Sequence, residues 1–244
     1  MSLYKFKNTT YFLFMLLFFI TVNSHGQNAS TTSIHDWYDA KVGYENLDIN
    51  SGRILLNYDK IVKDNDRFYF GSYQYGSVIY NGQLFNNLLL NYDINNDDLI
   101  IKPTGENDKM PIILNKTKIQ SFNINNMRYV NLSYNSPSIE NEISGFYAEI
   151  INSDGICFYV KHYKFRKKLI IESTVYDDFL KKTYYVLFYK NHYFTVTNKK
   201  SLISIFPEFK QVINDYYSDN NKIEKSNKIK FLEGLINSIR TNIK

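Results

Sequence analysis

The sequence predicts an α+β protein in which an antiparallel β-meander, closed into a sandwich or half-barrel, carries two or three C-terminal helices. Two observations support this fold class. Short apolar stretches separated by asparagine-containing turns run from Phe68 to about Val196, and the apolar spacing then changes to a helical period. Cys157, the single cysteine, cannot form an intramolecular disulfide, so packing must stabilise the fold, and an aromatic content of 17% supplies large side chains for it.

The N-terminus has the three parts of a secretion signal. Lys5 and Lys7 form a positive region, Tyr11–Val22 is apolar, and small residues follow up to a cleavage position after Gly26. A membrane-spanning helix needs about 20 apolar residues, so we expect cleavage rather than an anchor. No cysteine follows the apolar stretch, which argues against a lipid anchor. We therefore predict a soluble mature protein beginning at Gln27, periplasmic or extracellular, without a stable membrane span.

The mature chain divides into three predicted parts. Residues 27–67 form a polar leader, residues 68–197 the β-rich domain, and residues 198–244 a helical segment packed on that domain. Asn81-Gly82 between two apolar runs is a strong two-residue hairpin signal. Comparable turns separate strands predicted at Val78–Tyr80, Leu84–Ile94, Leu99–Lys102, Ile112–Leu114, Ile119–Ile124, Arg128–Leu132, Phe146–Ile151, Ile156–Tyr163, Tyr184–Tyr189 and His192–Val196. Consecutive hairpins of this kind predict a meander.

Helix signals begin where the strand pattern ends. Thr197 or Asn198 can cap a first helix, and Pro207 occupies the position favoured by proline at the start of a second. Ser218–Asn227 is a polar, charged connector. The last helix is predicted from apolar residues spaced three and four apart, at Ile229, Leu232, Ile236, Ile239 and Ile243.

Nucleophilic catalysis is the first chemistry to weigh, because Cys157 and His162 are close in sequence. They are separated by five residues on a predicted strand, which places them on opposite faces. A dyad of Cys157 with His35 or His192 stays open, since folding can join distant residues. A hydrolase with paired carboxylates from separate strands also stays open, because such pairs leave no local spacing.

Metal and nucleotide motifs are missing from the sequence. The run Asp93–Asp98 is acidic, but it lacks the glycine and the distant glutamate of an EF-hand loop, so we interpret it as a hairpin turn. The sequence contains neither an HExxH motif nor the glycine patterns of nucleotide-binding loops. We therefore predict no metal and no cofactor, and we expect a protein that is not an enzyme.

The most unusual local chemistry lies in Tyr159–Lys168, where aromatic and cationic residues alternate. Such a strand suits polyanions, because the cations neutralise charge and the tyrosines supply flat contact surfaces. The alternative is that lysines protect an exposed strand edge from pairing with other chains. The formal charge of +5, of which Lys5 and Lys7 supply two, is too small to indicate nucleic-acid binding. The candidate binding residues are Tyr159, Lys161, Tyr163, Lys164, Arg166, Lys167 and Lys168.

Several segments resemble a family of uncharacterised, signal-peptide-bearing secreted or envelope proteins common in Bacteroidetes. They include a hairpin with the pattern L-x-Y-D-x-x-x-D-x-L, here Leu90, Tyr92, Asp93, Asp97 and Leu99. The others are Gly76–Pro103 around that hairpin, Asn115–Ile124, Gly145–Ile151 and the helical end Lys199–Tyr216. The resemblance implies export into a Gram-negative envelope and one integrated architecture, and it brings no catalytic residue.

The function predicted from sequence is non-enzymatic binding by an exported, soluble envelope protein. Its partner is an unknown envelope protein or an anionic glycan. Two alternatives stay open: an envelope hydrolase with a dispersed carboxylate or Cys157-based site, and a binder of anionic glycan or lipid headgroups through Tyr159–Lys168.

Overall fold

The computed structural model describes residues 41, 48–56, 61–62, 64–103, 110–135, 143–153 and 155–242. The predicted secretion signal, residues 1–26, lies outside these ranges. In the part of the chain that is described, no helix is both long enough and apolar enough to cross a membrane.

All described strands belong to one continuous sheet. In chain order they are β1 (Arg53–Ile54), β2 (Ile61–Val62), β3 (Gln74–Tyr80), β4 (Gln83–Asp93), β5 (Asp98–Lys102), β6 (Ile112–Ile113), β7 (Ile119–Ile124), β8 (Met127–Asn131), β9 (Phe146–Ser153), β10 (Ile156–Ile171), β11 (Thr174–Tyr189) and β12 (His192–Thr195). Their order across the sheet is β1-β6-β5-β4-β3-β7-β8-β9-β10-β11-β12, and β2 pairs with β11 in parallel. The other pairings are antiparallel, which confirms the predicted meander.

Two-residue turns join many of these strands, and asparagine occupies several of them. The φ angles of Asn81, Asn125 and Asn126 are 51°, 50° and 61°. Asparagine adopts this left-handed region more readily than most residues, because its short side chain can bond to the local backbone. The asparagines that predicted turns in the sequence therefore occupy positions that require a positive φ angle.

The helical segment at the C-terminus is confirmed. Helix α1 is a short element between β8 and β9, and four helices follow β12: α1 (Leu132–Asn135), α2 (Lys199–Ile205), α3 (Lys210–Asp219), α4 (Asn221–Ser226) and α5 (Lys228–Asn242). Asn198 caps α2 by accepting from the Ser201 backbone N–H at 3.1 Å. Pro207 begins a 3-10 turn that leads into α3. The predicted connector Ser218–Asn227 contains α4, so this polar stretch is mostly helical.

The main core lies between one face of the sheet and the C-terminal helices. Helix α5 contributes five fully buried side chains, Phe231, Leu232, Leu235, Ile236 and Ile239. Each such side chain contributes about 2 kcal/mol when removed from water. A smaller cluster on the opposite face contains Val130, Leu132, Ile143, Tyr147, Tyr159 and Val186. Both faces of the sheet near β9 and β10 are therefore packed.

Part of the predicted polar leader, residues 27–67, belongs to the core and to the sheet. Ile49 is buried in the main core, and Arg53 and Ile54 pair with Ile113 and Ile112. The sheet therefore begins before residue 68, the predicted boundary. The strand is only two residues long, which is too short for the alternating pattern that sequence reasoning needs.

The hairpin of β10 and β11 is the longest feature of the sheet. Each strand has 16 residues, whereas β9 pairs with β10 only as far as Val160. Glu172 and Ser173 form its turn, with φ angles of 48° and 68°. Ile170 near this turn is 75% exposed. The distal half of the hairpin thus extends beyond its β9 neighbour.

Candidate functional site

Strand alternation separates the seven candidate binding residues onto two faces of β10. Lys164, Arg166 and Lys168 share the face of the main core residue Phe158. Tyr159, Lys161, Tyr163 and Lys167 lie on the other face. The basic and aromatic side chains of this strand therefore do not form a single surface.

A pocket of about 490 Å³ lies on the face that carries Lys161 and Tyr163. We call it the tyrosine pocket; its lining residues are Ser144, Tyr147, Lys161, Tyr163, Tyr184, Val186 and Thr195. Lys161 and Tyr184 are direct cross-strand partners, and the rings of Tyr163 and Tyr184 are 6.4 Å apart. The hairpin strands therefore bring two tyrosines and one lysine to the same place.

Tyr147, on β9, completes the aromatic lining. The Lys161 ammonium lies 5.1 Å from the centre of the Tyr147 ring, a cation–π distance. Burial raises the pKa of the Tyr147 phenol, with Asp97 acting in the same direction. The phenol therefore stays protonated at neutral pH and can donate a hydrogen bond.

Asp97 holds the pocket residue Lys161 in an ion pair. Its Oδ2 lies 3.1 Å from Lys161 Nζ and 3.4 Å from Lys116 Nζ, and it accepts from the Phe146 N–H at 3.3 Å. The Tyr92 hydroxyl donates to Oδ1 at 2.5 Å. Two ammonium groups therefore share one carboxylate. Lys161 also donates to the Ser144 carbonyl at 2.8 Å, which fixes its position.

Gly145 makes this arrangement possible. Its φ is +93°, and a Cβ at this position would lie 1.9 Å from Asp97 Oδ2 and 2.7 Å from Lys161 Nζ. Any other side chain would displace the carboxylate from both of its lysines. The backbone next to the pocket is therefore restricted to glycine.

The cations on the opposite face of β10 are largely engaged by the protein itself. Lys164 Nζ donates to the carbonyls of Asp66 and Phe68, each at 2.7 Å. Arg166 lies 3.7 Å from the buried carboxylate of Asp177 and over the ring of Phe179. Lys164 thus fixes the segment around Asp66 and Phe68 to β10, and Arg166 links β10 to β11 within the hairpin. Lys167 and Lys168 are exposed.

Cys157 and His162 lie on opposite faces, as the alternation predicted. Cys157 Sγ lies 3.8 Å from Asn152 Oδ1 and 3.9 Å from the Ser153 carbonyl oxygen. The His162 ring stacks on Tyr69 at 4.9 Å and its Nδ1 lies 3.3 Å from Thr183 Oγ1. Burial, with Lys181 as a second cause, lowers the pKa of His162 to about 4.

The acidic turn Asp93–Asp98 is built as a turn. Asp93 Oδ1 accepts from the backbone N–H groups of Asn95 and Asn96 at 2.9 and 3.1 Å, and Oδ2 lies 3.1 Å from Arg67 Nε. Protein donors thus occupy both oxygens. Among the described residues, no group of three or more histidine, cysteine, aspartate or glutamate side chains is arranged to hold a metal ion.

Sequence reasoning found Lys161 and Tyr163 but missed the residues that complete the pocket. Tyr147, Tyr184 and Thr195 come from three other strands, and nothing in the local sequence connects them to β10. Cross-strand register was the signal that could have found Tyr184, but it required the turn at Glu172 and Ser173 to be recognised.

Comparison with known proteins found no match to any protein-family model, to any curated protein or to any solved structure. The chemistry of the site therefore has to be inferred from its own residues.

Proposed function

We propose that this chain is an exported, non-catalytic binding protein and that its tyrosine pocket binds an acidic saccharide. The observation that carries this proposal is the convergence of Tyr147, Tyr163 and Tyr184 with Lys161 in one pocket of about 490 Å³. The residues come from β9, β10 and β11, so a paired sheet rather than a mobile loop supports them.

The aromatic rings of the tyrosine pocket are the reason for proposing a saccharide as the ligand. A sugar ring presents apolar C–H faces and a rim of hydroxyls, which suits flat rings that carry their own hydroxyl group. Ser144 and Thr195 add hydroxyls at the pocket wall. Tyr184 is 44% exposed, so one of the three rings is free to receive a ligand from solvent.

The charge accounts for the acidic character of the ligand. Lys161, which lines the pocket, and Lys182, the cross-strand partner of Tyr163, together exceed the single charge of Asp97. None of the described residues that line the pocket is acidic. A carboxylate or sulfate on a sugar would therefore meet a positive potential there.

The expected result with Tyr184→Ala is a roughly tenfold weaker affinity for an acidic polysaccharide, which corresponds to about 1.4 kcal/mol. The measurement is affinity electrophoresis in native gels that contain polygalacturonate or heparin, over a range of salt concentrations. Lys182→Gln should reduce the salt dependence of the same retardation, because one screened charge is removed.

Tyr134→Ala is the matched control, since Tyr134 is 37% exposed and its hydroxyl accepts from Gln120, which is not among the pocket residues. This variant should bind like the wild type. Wild-type protein that migrates unretarded in both polysaccharides, or a Tyr184→Ala variant that binds like the Tyr134→Ala control, contradicts the proposed function.

Export is supported by the pattern of residues 1–26 and is tested separately. Expression of the full chain in a Gram-negative host should release a mature protein that begins at Gln27 in the periplasm or medium. Intact mass spectrometry of the purified protein gives the mature N-terminus directly. Recovery of a chain that still contains Met1–Gly26 would show that this segment is not a cleaved signal.

A further inference from the structure

A second depression, of about 560 Å³, lies where β3, β4 and β7 meet. We call it the asparagine pocket, because five of its lining residues are Asn86, Asn87, Asn123, Asn125 and Asn126. The ring of Tyr75 lines this pocket and is 65% exposed, a larger fraction than that of any other described tyrosine.

The backbone is shaped to bring these amides together. Gly76 pairs with Leu88 and Val78 pairs with Phe85, so Asn86 and Asn87 together oppose the single residue Ser77. This is a β-bulge, a feature that redirects side chains and occurs often beside functional sites. The φ of Asn87 is 56°, which asparagine tolerates better than most residues.

The β7–β8 turn supplies the other side of the depression. Asn125 and Asn126 form this turn, and Asn123 Nδ2 donates to Ser77 Oγ at 3.2 Å across the two strands. A Cβ on Gly76 would lie 2.2 Å from the Asn123 carbonyl oxygen. The backbones of β3 and β7 therefore approach closely at Gly76.

We propose that the asparagine pocket binds a neutral saccharide. Each asparagine amide offers a donor and an acceptor, which match the hydroxyl groups of a sugar, since each hydroxyl can both donate and accept. The exposed Tyr75 ring supplies the flat surface on which a pyranose face stacks. The described lining residues carry no formal charge, so the ligand differs in class from the acidic saccharide of the tyrosine pocket.

Affinity electrophoresis of the full chain in gels that contain dextran, yeast mannan or galactomannan tests this site. The wild type should be retarded by at least one of the three polysaccharides. Tyr75→Ala should reduce that retardation at least tenfold, whereas Tyr75→Phe should keep it, because stacking needs the ring and not the hydroxyl. Asn86→Ala should weaken it by a smaller factor through the loss of one amide.

The matched control is Tyr184→Ala, which changes an exposed ring of the tyrosine pocket and should leave retardation by the neutral polysaccharide unchanged. In return, Tyr75→Ala should bind polygalacturonate like the wild type, so the two sites are distinguished. Circular dichroism of Tyr75→Ala should match the wild type, because the ring is exposed. Unretarded migration of the wild type in all three gels, or equal retardation of Tyr75→Ala and wild type, overturns the proposal.

Discussion

Asp97→Asn should lower the free energy of unfolding by about 3 kcal/mol, because removing one member of a mostly buried ion pair leaves its partner uncompensated. The carboxylate holds Lys161, Lys116 and the Tyr92 hydroxyl, and the side chains of Asp97 and Lys161 are only 14% and 15% exposed. Its φ of 59° suits asparagine as well, so the substitution changes the charge and keeps the turn. Urea unfolding at neutral pH measures the difference.

The control for this prediction is Asp48→Asn, which removes the carboxylate of an exposed ion pair with Lys118. Exposed pairs contribute little, because water and salt screen them, so the loss should be much smaller. Adding Lys161→Met to Asp97→Asn should restore part of the stability, since the unpaired ammonium is then gone. Equal losses for Asp97→Asn and Asp48→Asn would show that the Asp97 cluster does not stabilise the fold.

His162 should make the protein less stable as the pH falls from about 6.5 to 4. Its pKa in the folded protein is about 4, against 6.5 for an unperturbed histidine, so the unfolded chain binds the proton more readily in this window. The contribution of neutral His162 to stability is therefore fully present above pH 6.5. It is lost as the pH falls from this value through the folded pKa of about 4. Between pH 7 and pH 4.5 the loss should be about 2 kcal/mol.

The measurement is urea unfolding of the wild type and of His162→Phe at these two pH values. Phenylalanine keeps an aromatic ring to stack on Tyr69 and cannot take up a proton. The variant should lose about 2 kcal/mol less than the wild type on acidification. His192→Phe, which changes an exposed ring on β12, should lose as much as the wild type. An identical loss in wild type and His162→Phe would contradict the prediction.

Most of the sheet could be predicted from the sequence because its signals are local. The Asn81-Gly82 turn and the alternating residues around it predicted β3 and β4, and Asn198 marked the start of α2. The distal half of the long hairpin could not be found in this way. Its turn, Glu172-Ser173, is not one of the Asn-Gly or Asp-Gly pairs that mark a two-residue hairpin, and the charged run from Arg166 to Lys168 hides the alternation.

The sequence predicts the candidate site only as far as the position of a residue along one strand determines the face on which its side chain lies. Alternation on one strand placed Cys157 and His162 on opposite faces correctly. The same rule divides the basic and aromatic residues of β10, and their partners are distant in sequence: Asp97 is 64 residues from Lys161, and Asp66 is 98 residues from Lys164. Which lysines are free for a ligand depends on these partners, so it could not be inferred from one strand.

The junction of β3 and β7 has a consequence for how the chain folds. From β3 to β12 every neighbour in the sheet is also a neighbour along the chain, except for this pair. Each half can thus form by closing short loops, whereas joining the halves brings together Ser77 and Asn123, which are 46 residues apart. Contacts of such separation slow folding more than they affect stability. A saccharide in the asparagine pocket would touch both halves, and by mass action it would shift the equilibrium toward the state in which they are joined.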